Sequence, residues 1–480
     1  MSSLDLMLIN PPCNTVEKVD YLVVGTVLEF NVNAVNPGIL SIASYVESFG
    51  HSVKIIDLRP NADFEMLRRE VRAEQPRVFG VGTTSGWQYL ETLRCFEVAK
   101  EEHPAALTIG GGQHLGPLGE TALRDCSALD AVAVTEGEWI VRELIERIGR
   151  NPARLDLSGI PGLLYRDGDR ILGDGDHAPP LIDLDEMPFL NFELWPDYRA
   201  FTPFVEESRG CPHHCTYCTA SHSAKLARAS GAHGQRFKSP GRMLAEFDHL
   251  ASLYGKNVLY ALLASTFGVK AAPTLEFLGG MQTRGIQWGT ELRADCPWPE
   301  YIDKLHAAGA RELLIGVESC STEILRRLRK SADPEGYLRR AEDYIHQAKI
   351  HGLYPGINLI AFVGENPRTM QQTMAFLLRN AADLYRVGAN SVFLFAGTPL
   401  AHQFAELARE FGAERVATPY ADKTHCYPVK LSRDLSYEAG AYWCHLLSKT
   451  FSCNEINQLG ERRYDYSSYD FCLEAGKHDV

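Results

Sequence analysis

Cys211, Cys215 and Cys218 stand within eight residues of one another, in the run Arg209-Gly-Cys-Pro-His-His-Cys-Thr-Tyr-Cys. Three thiolates so close can hold three irons of a [4Fe–4S] cube. Nearby sequence offers no fourth cysteine at ligand spacing, so one iron is left open for a small molecule. An open coordination position is what separates a working metal from a structural one. Gly210 and Pro212 suit a loop that wraps its backbone around a cluster. The same cysteines could instead form a zinc site completed by His213 or His214. Zinc sites of that kind usually pair two Cys-x2-Cys knuckles, and no second knuckle is present.

The spacing Cys-x3-Cys-x2-Cys, with Tyr217 just before the last cysteine, resembles the radical S-adenosylmethionine (SAM) superfamily. The resemblance implies that the open iron chelates the amino and carboxylate groups of SAM. Reductive cleavage then gives methionine and a 5′-deoxyadenosyl radical, which takes a hydrogen atom from an unactivated carbon. It also implies that Tyr217 packs on the adenine. An electron donor such as flavodoxin or ferredoxin is expected.

The elements around the cysteines agree. Apolar runs of strand length at 204–206, 258–263, 286–290, 313–317, 357–362 and 391–395 are separated by helix-like stretches. Six such units predict a partial (β/α)6 barrel with its chemistry at the carboxyl ends of the strands. The cysteine loop follows the first strand, at that end. The resemblance extends along this register. Glu291 and Arg293 look like the polar strand end that contacts SAM. Residues 315–319 match the Gly-x-Glu-Ser run, which makes Glu318 a SAM contact. Residues 325–330, 362–367 and 397–400 resemble the family's later motifs. Where relatives carry paired aspartates after the second strand, this chain has Ser265 and Thr266. Their hydroxyls could bond the SAM amino group, or cap a strand end. Glu206 and Glu207, just ahead of the cysteine loop, are candidates for a cationic or hydroxylated substrate, with a salt-bridged strand end as the plainer reading.

Residues 1–150 read as a Rossmann-like α/β domain. Five short apolar runs (6–9, 53–58, 78–82, 107–110 and 131–134) alternate with helices and predict a doubly wound parallel sheet. Loops at 11–12, 83–86, 110–114 and 135–138 are rich in glycine and small polar residues, as close backbone approach to a ligand requires. This segment resembles the cobalamin-binding-like domain found upstream of many radical SAM domains. The Asp-x-His-x-x-Gly motif, whose histidine replaces the lower axial base of cobalamin, is absent. Cobalamin is therefore left open against a cofactor-free scaffold.

Residues 151–200 read as a linker with a small hairpin around Asp167-Gly168. Residues 401–480 form a C-terminal extension. Its Cys426, Cys444, Cys453 and Cys472 are irregularly spaced and read as buried or loop thiols rather than an auxiliary cluster. Tyr464, Tyr466 and Tyr469 could line a substrate entry or pack the tail. The 480 residues are 45% hydrophobic, enough for two or three domains with their own cores. No apolar run reaches membrane-spanning length and no secretory signal is evident, so neither a membrane nor export is expected. Twelve scattered cysteines suit a reducing cytoplasm. A net charge of −13 without a basic run argues against nucleic acid and is compatible with a cationic small-molecule substrate.

Two enzymatic readings follow. One keeps cobalamin and makes the chain a C-methyltransferase. The other drops it: hydrogen leaves a carbinol carbon, a neighbouring hydroxyl departs, and a ketone results. Within the family, the second reading resembles the radical SAM diol dehydratases of apramycin biosynthesis, which act on the aminoglycoside paromamine at C3′ with a partner reductase. The missing histidine motif and the acidic balance favour dehydration. Its acid and base are not identifiable from the sequence. A non-catalytic scaffold is disfavoured, because the cysteines, Tyr217, Arg293 and Glu318 all stand in register.

Overall fold

The computed structural model describes residues 4–12, 34–150, 155–231, 234–296 and 301–452. The N-terminal sheet runs β1 (Leu6–Asn10), β2 (Val53–Asp57), β3 (Val78–Gly82), β4 (Leu107–Gly111), β5 (Ala131–Ala133), β6 (Leu163–Asp167) and β7 (Arg170–Gly173), in the order β2-β1-β3-β4-β5-β6-β7. The first five strands are parallel. Strand β1 shows why a parallel sheet reads as a continuous apolar run. Leu6 and Leu8 pack with Ile39, Val46 and Ile140 on one face, while Met7 and Ile9 pack with Phe64, Leu67 and Phe96 on the other. Each such burial contributes about 1.5–3 kcal/mol. The hairpin read as part of a linker is present, but it extends this sheet: β6 pairs antiparallel with β5, and β7 with β6.

A second sheet holds β8 (Phe204–Glu206), β11 (Leu259–Leu263), β12 (Gln287–Leu292), β13 (Ala310–Glu318), β14 (Tyr354–Ala361) and β15 (Arg386–Ser391). All are parallel, in the order β15-β14-β13-β12-β11-β8. Between β8 and β11, β9 (Ser208–Gly210) and β10 (Gln235–Phe237) make a small antiparallel pair flanking the cysteine loop. The last barrel strand lies earlier than the apolar run at 391–395 suggested. Alternate positions of β15 are Arg386, Gly388 and Asn390, which hide the strand from a hydropathy reading.

The 391–395 run instead yields β16 (Phe393–Leu394), which leaves the barrel to pair with β18 (Tyr427–Lys430), itself paired with β17 (Glu414–Arg415). The last helix among the described residues, Tyr437–Phe451, closes the barrel edge. The Ala389 N–H donates to Ser448 Oγ at 2.9 Å and the Val387 N–H to Ser452 Oγ at 3.2 Å. Donors of an edge strand are thereby satisfied by side chains rather than left to pair with another chain. Helix starts follow a recurrent local code. Asn36, Ser239, Thr398 and Thr418 each cap a helix whose next residue is proline.

Candidate functional site

Strand β8 delivers the chain to the barrel's carboxyl-terminal rim. Gly210 then turns it with φ of +79°, where an added Cβ would lie 2.1 Å from the Gly234 carbonyl oxygen, so no other residue fits. The cysteine loop follows and ends at the helix Ala220–Ala229. Backbone bonds fix the loop from two sides: the Thr216 N–H donates to Leu328 O at 3.0 Å, and the Leu400 N–H to Thr216 O at 2.8 Å. Cys215 is buried and Cys211 and Cys218 are half-buried; all three are free thiols. Among the described residues no three His, Cys, Asp or Glu side chains are gathered tightly enough for a single metal ion. A cube, unlike a single ion, spreads its three thiolates over three irons.

Burial pushes the Cys218 thiol up to about 11 and raises that of Cys211. The opposing influence is cationic. Arg293 Nη1 donates to Cys215 Sγ at 3.6 Å, and Arg293 and Lys330 both favour the Cys211 thiolate. Burial, with Arg293 nearby, pushes His213 down to about 4, so it is neutral beside the cluster loop.

The side chains expected to contact SAM are connected to this loop. Arg293 pairs with Asp295 at 2.7 Å and donates to the Lys330 carbonyl. Lys330 Nζ pairs with Glu318 Oε1 at 2.9 Å, both side chains being at most 9% exposed. Burial and then the Glu318 carboxylate raise the Tyr217 phenol. Glu318 has φ of +66°, rare for a residue with a side chain, and sits where the β13–β14 register slips. Backbone strain of that kind, on the order of 1 kcal/mol or more, persists only where surroundings enforce it. Here the Tyr337 hydroxyl donates to Gly316 O, and the Ala294 N–H donates to the same hydroxyl. The donor set therefore fits a cluster on Cys211, Cys215 and Cys218, and Tyr217, Arg293 and Glu318 are gathered around the same loop.

The remaining candidates divide. Ser265 is exposed at the β11 rim, while Thr266 is buried with its hydroxyl 3.8 Å from Cys296 Sγ. Glu206 gives its carboxylate to Arg209 at 3.0 Å, and Arg209 continues to Glu136 and Glu138 of the N-terminal domain. Glu207 is 3% exposed, and burial pushes its carboxyl up to about 7. Asp295, Tyr337, Glu312 and Arg386 were not singled out in the sequence. The available signal was alternation. Glu291 on β12 and Glu312 on β13 are polar residues within buried strands. Burial raises both carboxyls, with Arg386 on β15 opposing. Glu291 is nonetheless exposed to solvent.

The loops at the carboxyl ends of the N-terminal strands, where ligands of doubly wound sheets sit, meet the rest of the chain. Gly86 is so close to the C-terminal extension that an added Cβ would lie 2.4 Å from Cys426 Cβ. Trp87 stacks on Tyr420, centroids 6.0 Å apart. Buried His114 Nε2 bonds Thr424 O at 2.8 Å. Beyond β5, Glu136 binds Arg209 and Arg236. Cys426 and Cys444 are buried thiols pushed up to about 12. Cys453, Cys472, Tyr464, Tyr466 and Tyr469 lie outside the described residues.

Comparison with known proteins agrees with this two-part organisation. The B12 binding domain matches residues 23–145 and the radical SAM superfamily matches residues 205–377. An uncharacterised methyltransferase of Pyrococcus horikoshii is 26% identical over 349 residues, 71% of this chain and 72% of that protein. The cytidylyl-2-hydroxyethylphosphonate methyltransferase of Streptomyces wedmorensis is 24% identical over 437 residues, 78% of this chain and 77% of the relative. Among solved structures, the cobalamin-dependent SAM radical enzyme OxsB, with aqua-cobalamin and SAM bound, superposes with a TM-score of 0.72 at 15% identity, covering 99% of this chain and 71% of that one. At that identity the likeness is one of fold. The loops after β3 and β4, where a ligand of such a domain would lie, pack against Tyr420, Thr424 and Cys426 of the chain itself.

Proposed function

We propose that this chain, a radical SAM enzyme with a B12-binding-type domain at residues 23–145, abstracts hydrogen from a hydroxylated, cationic small molecule and dehydrates it. When bound, the cluster and SAM would supply the 5′-deoxyadenosyl radical. The chain's own residues hold and tune them. Cys211, Cys215 and Cys218 ligate, Arg293 and Lys330 favour the thiolates, and Tyr217 and Glu318 frame SAM. The observation that carries this reading is the unbroken chain of contacts from Cys215 through Arg293 and Lys330 to Glu318.

Glu291 and Glu312 support the substrate class. Their burial-raised carboxyls suit protonation of a departing hydroxyl. An amino-sugar diol such as paromamine offers such a hydroxyl. The ketone formed would pass to a separate reductase, and a flavodoxin or ferredoxin would feed the cluster. Methyl transfer is the second reading, favoured by the two methyltransferases named above.

The test is anaerobic incubation with SAM and dithionite, scoring 5′-deoxyadenosine. Wild type is expected to form it and Cys215→Ala to form none; turnover by Cys215→Ala would overturn the reading. With an aminoglycoside diol, a product lighter by one water supports dehydration and one heavier by a methylene supports methyl transfer. No helix among the described residues is long and apolar enough to cross a membrane.

A further inference from the structure

The C-terminal extension sends a hairpin back onto the N-terminal domain. Its arms are β17 and β18, and β18 is anchored on β16, the strand that leaves the barrel. Between the arms lies a helical turn, Pro419–Thr424, capped by Thr418 and ended by His425 in a left-handed conformation with φ of +54°. This turn rests on the ends of β3 and β4. The contacts have the character of a packed interior. Trp87, Phe393, Tyr420, Cys426, Tyr437 and Ala441 form one apolar cluster drawn from both domains. Trp87 is edge-on to Phe393 at 5.4 Å and stacked on Tyr420.

Polar groups at this junction are spent on one another. The His114 ring bonds the last carbonyl of the turn, an acceptor that a helix end leaves without an internal partner. Its other nitrogen is buried without a partner, with Tyr89 and Phe395 edge-on to the ring. His425 Nε2 and the Tyr89 hydroxyl both lie 2.7 Å from Asp125 Oδ2. Beside them, Gly397 lies so close to Pro117 and to His222, on the helix after the cysteine loop, that an added Cβ would sit 2.9 and 3.0 Å from them. Two of the loops that should approach a bound cofactor therefore approach residues 393–397 and 416–430 instead.

A corrin ring is a broad, rigid disc, and at the ends of β3 and β4 it would meet these side chains. Admitting it would strip Tyr420 from Trp87, break the His114–Thr424 bond and expose Cys426. We propose that residues 416–430 are a built-in strap that fills the cradle of the B12-binding-type domain, so that this chain binds no cobalamin there and its N-terminal domain serves as a lid on the barrel. Dehydration is not a premise of this proposal, which is read from metal content and backbone protection rather than turnover.

The experiment uses the full chain, expressed with excess hydroxocobalamin and purified anaerobically with its cluster intact. Metal analysis is expected to give about four irons per chain and only trace cobalt, without corrinoid absorbance. Amide exchange of residues 416–430 is expected to be the same with and without added hydroxocobalamin. Stoichiometric cobalt would overturn the proposal, and so would loss of protection in the strap on adding the corrin. Neither result depends on which reaction the barrel performs.

Discussion

The two sheets offer the same kind of place, the carboxyl-terminal ends of parallel strands, and fill it in opposite ways. At the barrel rim, charged side chains converge on the cysteine loop: Arg293, Asp295, Lys330 and Glu318 are linked in one network. Strain is held there too, at Glu318. At the N-terminal rim, glycine and aromatic residues meet the chain's own C-terminal hairpin, in contacts as close as those of a core. A fold that commonly carries a ligand site therefore does not by itself make one. What separates the two rims is their neighbours: charged side chains beside three thiols at one, the apolar side chains of the chain's own C-terminal hairpin at the other.

That contrast can be broken most severely at the barrel. Lys330→Met keeps the length of the side chain and removes its charge, leaving Glu318 buried without its cation. Breaking a buried pair in this way costs about 3–5 kcal/mol. A large fall in thermal midpoint is expected, with 5′-deoxyadenosine formation reduced further than stability alone explains. An unchanged midpoint would mean that the pair is solvated and the network is not a buried one.

At the other rim, Trp87→Ala removes a buried indole, a truncation that costs about 3–5 kcal/mol in a packed interior. Here the loss should be local. Residues 416–430 should exchange amide hydrogens faster while SAM cleavage stays at the wild-type rate. A parallel collapse of SAM cleavage would show that the two rims are one cooperative site rather than a site and its lid.

How much of this contrast could be read from the chain depended on the range of the interaction. The cysteine spacing, Tyr217 and the Gly-x-Glu-Ser run are local, and the strands that carry them were visible as apolar runs. The Lys330–Glu318 pair joins positions that the sequence marks only as neighbouring motifs; the contact needs the turn after β13 to form. Strand β15 escapes a hydropathy reading because Arg386, Gly388 and Asn390 supply none of the hydropathy that marks a strand. The strap was invisible for a different reason. Thr418-Pro419 announces a helix start, but nothing local says that Tyr420 will stack on a tryptophan over three hundred residues earlier. The glycine at 86 reads as an approach to a ligand, and only the fold reveals that the approaching group is Cys426.

Acidity sharpens the contrast, because each rim carries a group that burial displaces, Glu207 upward at one and His114 downward at the other. Near the cysteine loop, Glu207 is pushed up to about 7 by burial, against the weaker influence of the Gly268 N–H and the Ser208 hydroxyl. Its folded value lies above the unfolded one of about 4.3. The protonated carboxyl therefore stabilises the fold fully below that value, and the contribution is lost as pH rises through about 7. Between pH 5 and 8 the loss is about 2–3 kcal/mol, and Glu207→Gln should abolish the slope in anaerobic denaturant titrations.

At the strap, His114 is pushed down to about 4 by burial and further by His425, opposed by its bond to Thr424 O. Its folded value lies below the unfolded one of about 6.5, so its contribution is complete above that pH and is lost as pH falls. From pH 8 to pH 5 about 2 kcal/mol should go, on this group's account alone. Because Thr424 belongs to the strap, the loss should appear as faster exchange at 416–430 at pH 5 after correction for the intrinsic rate. It should be absent in His114→Asn, which keeps a donor but cannot ionise. Were the strap equally protected at both pH values, His114 would not be the group that pins it, and the apolar cluster around Trp87 would have to hold the lid alone.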